Sequence, residues 1–99
     1  MLVAGSYRFL PGTDRGAGLK RFLAWTPPSG FTFQGHWALA DNAGGVFIAE
    51  AETAAAAFEA TGAFADLIAF ELTPVIDIAE SVPISSQLLA WVESVHGTG

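Results

Sequence analysis

The chain has no cysteine among its 99 residues. Disulfide bonds, thiolate nucleophiles and cysteine-ligated metal sites are therefore excluded. Charge is also scarce, since 14% of the residues are charged and 52% are hydrophobic, whereas an ordinary soluble domain has roughly 25% charged residues. A single small domain of this composition exposes much apolar surface, and large exposed apolar patches usually mark an interface. The composition therefore predicts self-association.

Basic residues are absent after Arg21. The chain has four of them, Arg8, Arg15, Lys20 and Arg21, against ten acidic residues, and its net charge is −6. An acidic surface repels phosphate backbones and anionic lipids, so we expect neither nucleic acid nor a membrane as a partner. No apolar run reaches the ~18 residues that span a bilayer, and the N-terminus lacks the pattern of a signal peptide. We therefore expect a cytoplasmic protein.

Alternation of apolar and polar residues predicts four strands, and helical spacing predicts helices between them. The strands are expected at residues 1–9, 31–40, 46–50 and 67–77. The order βαββαβ predicts an α+β ferredoxin-like fold. In that fold, a four-stranded antiparallel sheet in the order 4-1-3-2 carries two helices on one face.

The helices have recognisable start signals. Thr13 or Asp14 is expected to cap the first helix, and Thr53 is expected to cap an Ala-rich second helix anchored by Phe58. A last amphipathic helix is predicted to start at Ser85 or Ser86. We therefore divide the chain into an α+β domain at residues 1–82 and a C-terminal segment at residues 83–99. That segment comprises the amphipathic helix and a disordered end that includes His96.

Pro74 lies inside the fourth predicted strand. Proline is tolerated mainly on edge strands, and the order 4-1-3-2 makes this strand an edge. Two helices cover one face of the sheet, and the other face carries Leu2 and Val75 among polar side chains. An open, half-apolar sheet face favours a partner. We therefore expect a homodimer through this face, in which two sheets form a dimeric α+β barrel.

Strand alternation places a cluster of polar side chains on the open face. Arg8, Gln34, His36 and Glu71 belong to it, and in a barrel they would line the interior and contact a small organic ligand. Trp37 is a further candidate, because it joins Tyr7, Phe31 and Phe33 on the other face as a possible pocket for a flat ligand. The alternative for these aromatic residues is a plain core.

His36 is the only histidine of the predicted α+β domain, so it is the simplest candidate for a base near neutral pH. The alternative is a satisfied interface histidine. A dyad with Glu71 within one chain is disfavoured, because the second and fourth strands lie ~14 Å apart. Arg8 and Glu71 lie on neighbouring strands and most simply form a cross-strand ion pair. One histidine with scattered carboxylates lacks the spacing of a metal site, and no cofactor is indicated.

Four short motifs resemble a known family. Phe64 to Val75, with the sequence FADLIAFELTPV, is similar to its closing strand, and Gly35-x-Trp37 precedes Gly45-x-Phe47 and Glu50-Ala51. Over residues 1–78 the chain resembles a small bacterial family called domain of unknown function 3303. The resemblance implies the dimeric α+β barrel fold of antibiotic-biosynthesis monooxygenases, muconolactone isomerases and stress-responsive barrel proteins. It implies no established activity, and the helix after Pro83 departs from the compact pattern.

Two hypotheses about function follow. The first is a barrel that binds a small organic molecule, either as a binding protein or as a cofactor-free enzyme. The second is a dimerisation or interaction module without chemistry, which the low charge content and the amphipathic tail favour. The sequence leaves open whether the chain is an enzyme.

Overall fold

The computed structural model describes residues 1–97. In chain order, the elements are β1 (Leu2–Phe9), α1 (Arg15–Ala24), β2 (Phe31–Ala38), β3 (Gly44–Ala51), α2 (Ala54–Gly62), β4 (Ile68–Val75) and α3 (Ile78–His96). The strands form one antiparallel sheet in the order β2-β3-β1-β4. This is the predicted order 4-1-3-2 seen from the other edge, so the ferredoxin-like α+β fold is confirmed.

Side-chain caps start the first two helices as predicted. The Ala17 N–H donates to Asp14 Oδ1 over 3.1 Å, and the Ala56 N–H donates to Thr53 Oγ1 over 3.1 Å. Each bond satisfies a backbone amide that the first turn of a helix leaves without a partner. The caps set the residues at which both helices start, and hence the faces that these helices turn toward the sheet.

The predicted start of α3 was wrong. This helix begins at Ile78 rather than at Ser85 or Ser86, and Pro83 lies inside it. Asp77 is its N-cap and accepts a hydrogen bond of 2.8 Å from the Ala79 N–H. Proline removes one backbone bond, but the capped first turn and the thirteen residues after Pro83 allow the helix to continue. His96, expected in a disordered end, is the last residue of α3; Thr98 and Gly99 lie outside the described residues.

The core lies between the sheet and α2. Its buried side chains come mainly from β1, β2, β3 and α2: Val3, Phe31, Phe47, Ala49, Ala51, Ala56, Ala57, Ala60 and Phe64. The prediction that Phe58 anchors α2 was wrong, because this side chain is 81% exposed. Three small alanine side chains face the sheet instead and let α2 approach it closely. Phe64, two residues after α2, supplies the large side chain.

A β-bulge in β2 changes which side chains face the helices. Phe33 pairs with Ala49 of β3, whereas Gly35 pairs with Ile48, so Gln34 is an extra residue. The strict alternation predicted for β2 therefore fails after Phe33. His36 lies on the helix-covered side, opposite Phe47, and Trp37 lies on the open side, opposite Val46. The prediction that placed His36 on the open face and Trp37 on the other was wrong.

α3 projects from the edge of the sheet, immediately after β4. It buries no residue, and the molecule extends 64 × 30 × 19 Å with a radius of gyration of 18.5 Å. A compact domain of this length has a radius of gyration of about 13 Å. None of the helices in residues 1–97 is both long and apolar enough to cross a bilayer.

The packing of Phe47 over Gly5 gives the first testable prediction. A Cβ atom added at Gly5 would lie 2.1 Å from Phe47 Cζ, and the Phe47 ring is buried. Gly5→Ala should therefore lower the free energy of unfolding by ~1–3 kcal/mol. Gly62→Ala is the control, because nothing lies within 4 Å of a Cβ added there, and it should be neutral or stabilise by ~0.5–1 kcal/mol. Urea denaturation at one protein concentration measures both, and equal stability of the two variants would contradict the packing.

Candidate functional site

A partly enclosed cavity of about 200 Å³ lies between α1 and the helix-covered face of the sheet. Its walls are mostly aromatic. The lining residues are Tyr7, Phe9, Arg15, Gly18, Leu19, Phe22, Trp25, Phe31, Phe33, His36, Phe47, Ala60, Thr61, Phe64, Leu67, Ile68 and Phe70. β1, β2, β3 and β4 all contribute to the floor, and α1 forms the roof. Cavities of this kind, apolar with few polar groups, are typical of ligand sites.

The helix α1 is held above the sheet by polar contacts near its two ends rather than by buried side chains. The Arg21 guanidinium donates to both carboxylate oxygens of Asp66 over 2.6 and 3.2 Å and to the Ala63 carbonyl over 3.1 Å. The Thr13 hydroxyl donates to the Leu67 carbonyl over 3.1 Å. The hydrogen bond from Arg21 lowers the pKa of Asp66. Because α1 itself buries no residue, a gap remains beneath it.

Aromatic rings order the cavity wall. The His36 imidazole stacks on the Phe33 ring, with centroids 4.9 Å apart and planes inclined by 9°. The Trp25 ring packs edge to face on the Phe64 ring, with centroids 5.1 Å apart. The ring centroids of Phe22 and His36 lie 5.6 Å apart. Such arrangements fix ring orientations beyond what apolar burial achieves. The wall therefore presents both ring faces and ring edges to a ligand.

Tyr7 and His36 form the polar part of the wall. Tyr7 Oη and His36 Nε2 lie 2.7 Å apart, and either atom can be the donor, according to the imidazole tautomer. Partial burial lowers the pKa of His36 and raises the pKa of Tyr7. Both shifts favour the neutral forms. At neutral pH the pair is therefore an uncharged hydrogen-bonding unit on an apolar wall.

Arg15 is the cationic group of the cavity lining. Its guanidinium lies over the Phe9 ring, 4.9 Å from the centroid, and it donates to the Asn42 carbonyl. A guanidinium over an aromatic face is attracted by the ring quadrupole. This contact and the hydrogen bond hold the charge beside β1. In the described residues, no three His, Asp or Glu side chains lie close enough together to hold a metal ion.

The structure separates the candidate residues predicted from the sequence. His36 lines the cavity. Trp37 and Glu71 line a shallow depression on the open face instead, Arg8 is exposed on β1, and Gln34 is the bulge residue. His36 and Glu71 lie on opposite edge strands and opposite faces, so the disfavoured dyad does not form. The five candidates thus do not form one site.

The expected ion pair between Arg8 and Glu71 was wrong. The register pairs Arg8 with Ala69 and Glu71 with Ser6, so the two charged side chains are diagonal rather than directly opposite. Among residues 1–97, the ion pairs are those of the Met1 amino group with Glu50 and of Arg21 with Asp66. A diagonal pair lies ~7–8 Å apart at the backbone. Arg8 is left exposed on the open face.

The structure separates the four residues predicted to form an aromatic pocket. Tyr7, Phe31 and Phe33 line the cavity, but Trp37 does not. Trp25 and Phe64 also line the cavity, beside α1, and neither was predicted from the sequence to belong to a pocket. Both residues are aromatic and lie at the end of a helix or just after it, and this position was the available signal.

Comparison with protein families identifies the chain. The family model described as Domain of unknown function (DUF3303) matches residues 1–89. The chain belongs to this family. The resemblance seen in the sequence is thereby confirmed, and the match extends into α3. Comparisons with curated proteins and with solved structures gave no match.

The pKa of His36 makes the stability of this DUF3303 domain depend on pH. The unfolded chain takes up a proton near the ordinary histidine pKa of about 6.5, whereas the folded chain does so at lower pH. Stability should therefore be complete above about pH 6.5 and fall as the pH is lowered from there toward the folded-state pKa. Denaturation at pH 7.5 and 5.5 measures the loss, and the imidazole NMR titration of His36 should have its midpoint below 6.5.

His36→Gln should remove this part of the pH dependence. His96→Gln, at the exposed end of α3, is the matched control and should retain it. An NMR midpoint for His36 at or above 6.5 would contradict the assigned environment.

Proposed function

We propose that this DUF3303 domain binds a small, flat aromatic molecule that carries a hydroxyl group, in the cavity beneath α1. One observation supports this proposal above the others: the cavity has aromatic walls and a neutral hydrogen-bonding pair, Tyr7 and His36, within them. An apolar cavity with few polar groups orients a ligand through those groups. The site proposed here thus lies on the helix-covered face, whereas the sequence predicted a ligand site on the open face.

The size of the cavity limits the ligand. A dry apolar cavity of about 150 Å³ in another protein takes up benzene, and the cavity here has about 200 Å³. One or two fused rings therefore match the enclosed space. Aromatic side chains of the wall, such as Phe33 and Trp25, pack better against a planar ring than against a bulky aliphatic molecule.

The hydrogen-bonding pair selects for a hydroxyl group. When the Tyr7 hydroxyl donates to His36 Nε2, the Tyr7 oxygen retains lone pairs that can accept a hydrogen bond from a ligand. Arg15, the cation of the lining, is already engaged by the Phe9 ring and the Asn42 carbonyl. Beside the neutral Tyr7–His36 pair, an anionic ligand would lose more hydration than a neutral one. A neutral phenol-like group is therefore the best match for this part of the cavity.

The proposal is binding rather than catalysis. A histidine base is usually oriented by a third group, often a carboxylate. Glu71, the partner considered from the sequence, lies on the opposite face of the sheet, and His36 Nε2 is engaged by Tyr7. The pair is therefore better suited to hold a hydroxyl group than to remove a proton from a reacting carbon.

A second role is supported by the open sheet face. Trp37 and Val46 are 56% and 38% exposed on it, with Ala4 and Ile48 beside them. We propose a homodimer through this face, as the sequence predicted, and the α+β barrel is one arrangement that would cover it. Arg8, Trp37 and Glu71 would then be interface residues. A cytoplasmic location stays a prediction.

Binding of 1-naphthol tests the proposed function. Isothermal titration calorimetry should show saturable binding, weaker for 1-methylnaphthalene, which has the same shape but no hydroxyl. One hydrogen bond of ~0.5–1.5 kcal/mol predicts a preference of roughly 2- to 10-fold. Tyr7→Phe should abolish that preference while 1-methylnaphthalene still binds.

Filling the cavity provides the matched pair of variants. A Cβ atom added at Gly18 has room, with Leu67 Cδ1 at 3.7 Å, so Gly18→Leu should fill the space beneath α1 and abolish binding of both compounds. Ala17→Leu adds a large side chain one position earlier, outside the lining, and should leave binding unchanged. Absence of saturable binding to the wild-type chain, or undiminished binding to Gly18→Leu, would overturn the proposal.

A further inference from the structure

One half of the α3 surface is apolar and uncovered. Eight large apolar side chains of this helix are 40–77% exposed: Ile78, Val82, Ile84, Leu88, Leu89, Trp91, Val92 and Val95. At 3.6 residues per turn they occupy about half of the helix circumference. A helix with so wide an apolar face gains stability mainly from packing against another surface.

The charge of α3 excludes two classes of partner. Its ionisable side chains are Glu80, Glu93 and His96, and it contains no Lys or Arg. Helices that lie on anionic membranes carry Lys or Arg on their polar face, and nucleic acids repel an acidic helix. A protein surface that is apolar, with a positive charge, is the matching partner.

The open sheet face of the same chain offers apolar side chains and one exposed basic side chain, Arg8, together with the acidic Glu50 and Glu71. It carries the apolar side chains of Leu2, Trp37, Val46 and Ile48, on strands whose register places them on one side. Ala4 and Ser6 form part of a shallow depression between Trp37 and Glu71. Small residues at such a point allow close approach of a helix.

The dimensions of the two surfaces agree. α3 has 19 residues and is about 28 Å long, whereas strands of eight residues are about 26 Å long. The four strands span about 14 Å between the outer two, and one helix with its side chains is about 10–12 Å wide. One α3 helix would therefore cover the middle of one sheet.

One charge of the open face matches α3, and it stands beside two acidic side chains of the same face, Glu50 and Glu71. Arg8 is exposed on the open face, and the register opposes it to Ala69 and Gly44 rather than to an acidic residue. α3 supplies two carboxylates, Glu80 and Glu93, that are exposed beside its apolar half. Complementary charges at the edge of an interface favour the correct partner and orientation.

Within one chain the two surfaces do not meet. α3 follows edge strand β4 after two residues and continues away from the sheet, which accounts for the 64 Å length of the molecule. We propose that α3 of each copy packs across the open sheet face of a second copy, in a reciprocal exchange. The exchange rests on the proposed homodimer and replaces direct sheet-to-sheet contact by a helix layer.

The area supports a stable dimer. Eight apolar side chains contribute on the order of 100 Å² each, and a standard interface takes ~800 Å² from each partner. Reciprocal exchange buries this area twice, in a closed two-fold assembly. The same packing covers both apolar surfaces that a single copy leaves exposed.

Engineered cysteines test the arrangement, because the wild-type chain has none. Ser6→Cys marks the centre of the open face, and Leu88→Cys marks the centre of the apolar half of α3. The two single variants, prepared with tags of different mass, are refolded together and oxidised. Non-reducing electrophoresis should show mainly the mixed dimer that joins Cys at position 6 to Cys at position 88.

Gln87→Cys is the matched control. Residue 87 precedes Leu88 but lies on the polar half of α3, so its mixed cross-link with Ser6→Cys should be at least 10-fold less abundant. A double variant, Ser6→Cys with Leu88→Cys in one chain, should form intermolecular cross-links only. An intramolecular disulfide in that variant would mean that α3 folds back on its own sheet, and would overturn the exchange.

The remaining outcomes separate the exchange from the dimer itself. Homotypic cross-links through position 6 alone would support the direct barrel and overturn the exchange while the dimer stands. Homotypic cross-links through position 88 alone would indicate that the α3 helices of two copies pair with each other, and would also overturn the exchange. If light scattering shows that the wild-type chain is a monomer at micromolar concentration, both the exchange and the dimer are overturned.

If the exchange occurs, Leu88→Glu should convert the dimer to a monomer, and Gln87→Glu should not.

Discussion

The insertion of one residue in β2 decides which side chains face which side of the sheet. Side chains alternate along a strand, so an extra residue at Gln34 exchanges the faces of everything after it. Without the bulge, His36 would lie on the open face and Trp37 beneath α1. With it, His36 reaches Tyr7 and stacks on Phe33, and Trp37 lies across Gly35 on the other side. The polar pair of the cavity and the largest apolar side chain of the open face both follow from this bulge.

The difference between the two helices on the sheet explains why the cavity exists. α2 presents Ala56, Ala57 and Ala60 to the sheet and packs closely on β3 and β2. α1 presents larger side chains and buries none of its residues. Arg21 and Thr13 hold its ends in place. A helix supported at its ends above a sheet leaves space beneath it, and aromatic side chains line that space.

The two faces of the sheet present different surfaces. The helix-covered face carries the cavity and the neutral hydrogen-bonding pair, so the proposed ligand site lies there. The open face carries a mixed surface of apolar side chains, Arg8, Glu50 and Glu71, and α3 carries an exposed apolar half flanked by Glu80 and Glu93. Eight of the exposed large apolar side chains lie on α3, and Trp37 and Val46 lie on the open face, whereas others, such as Leu23 of α1 and Phe58 of α2, lie on the helices of the other face.

The sequence by itself determined the order of elements, the sheet topology and most of the helix starts. These features depend on local signals, such as the caps at Asp14 and Thr53, and on Pro74, which requires an edge strand. The short motifs from Phe64 to Val75 were also sufficient for the family. Such signals operate within a few residues, so no tertiary contact is needed to recognise them.

Only the tertiary structure decided which residues share a site. The face of each β2 side chain depends on the pairing with β3, and Gly35 was the one local sign of a bulge. The burial of Ala57 rather than Phe58 depends on how closely α2 approaches the sheet. The gap beneath α1 depends on contacts between residues more than forty positions apart, such as Arg21 with Asp66. These are relations between elements, and periodicity along one element does not contain them.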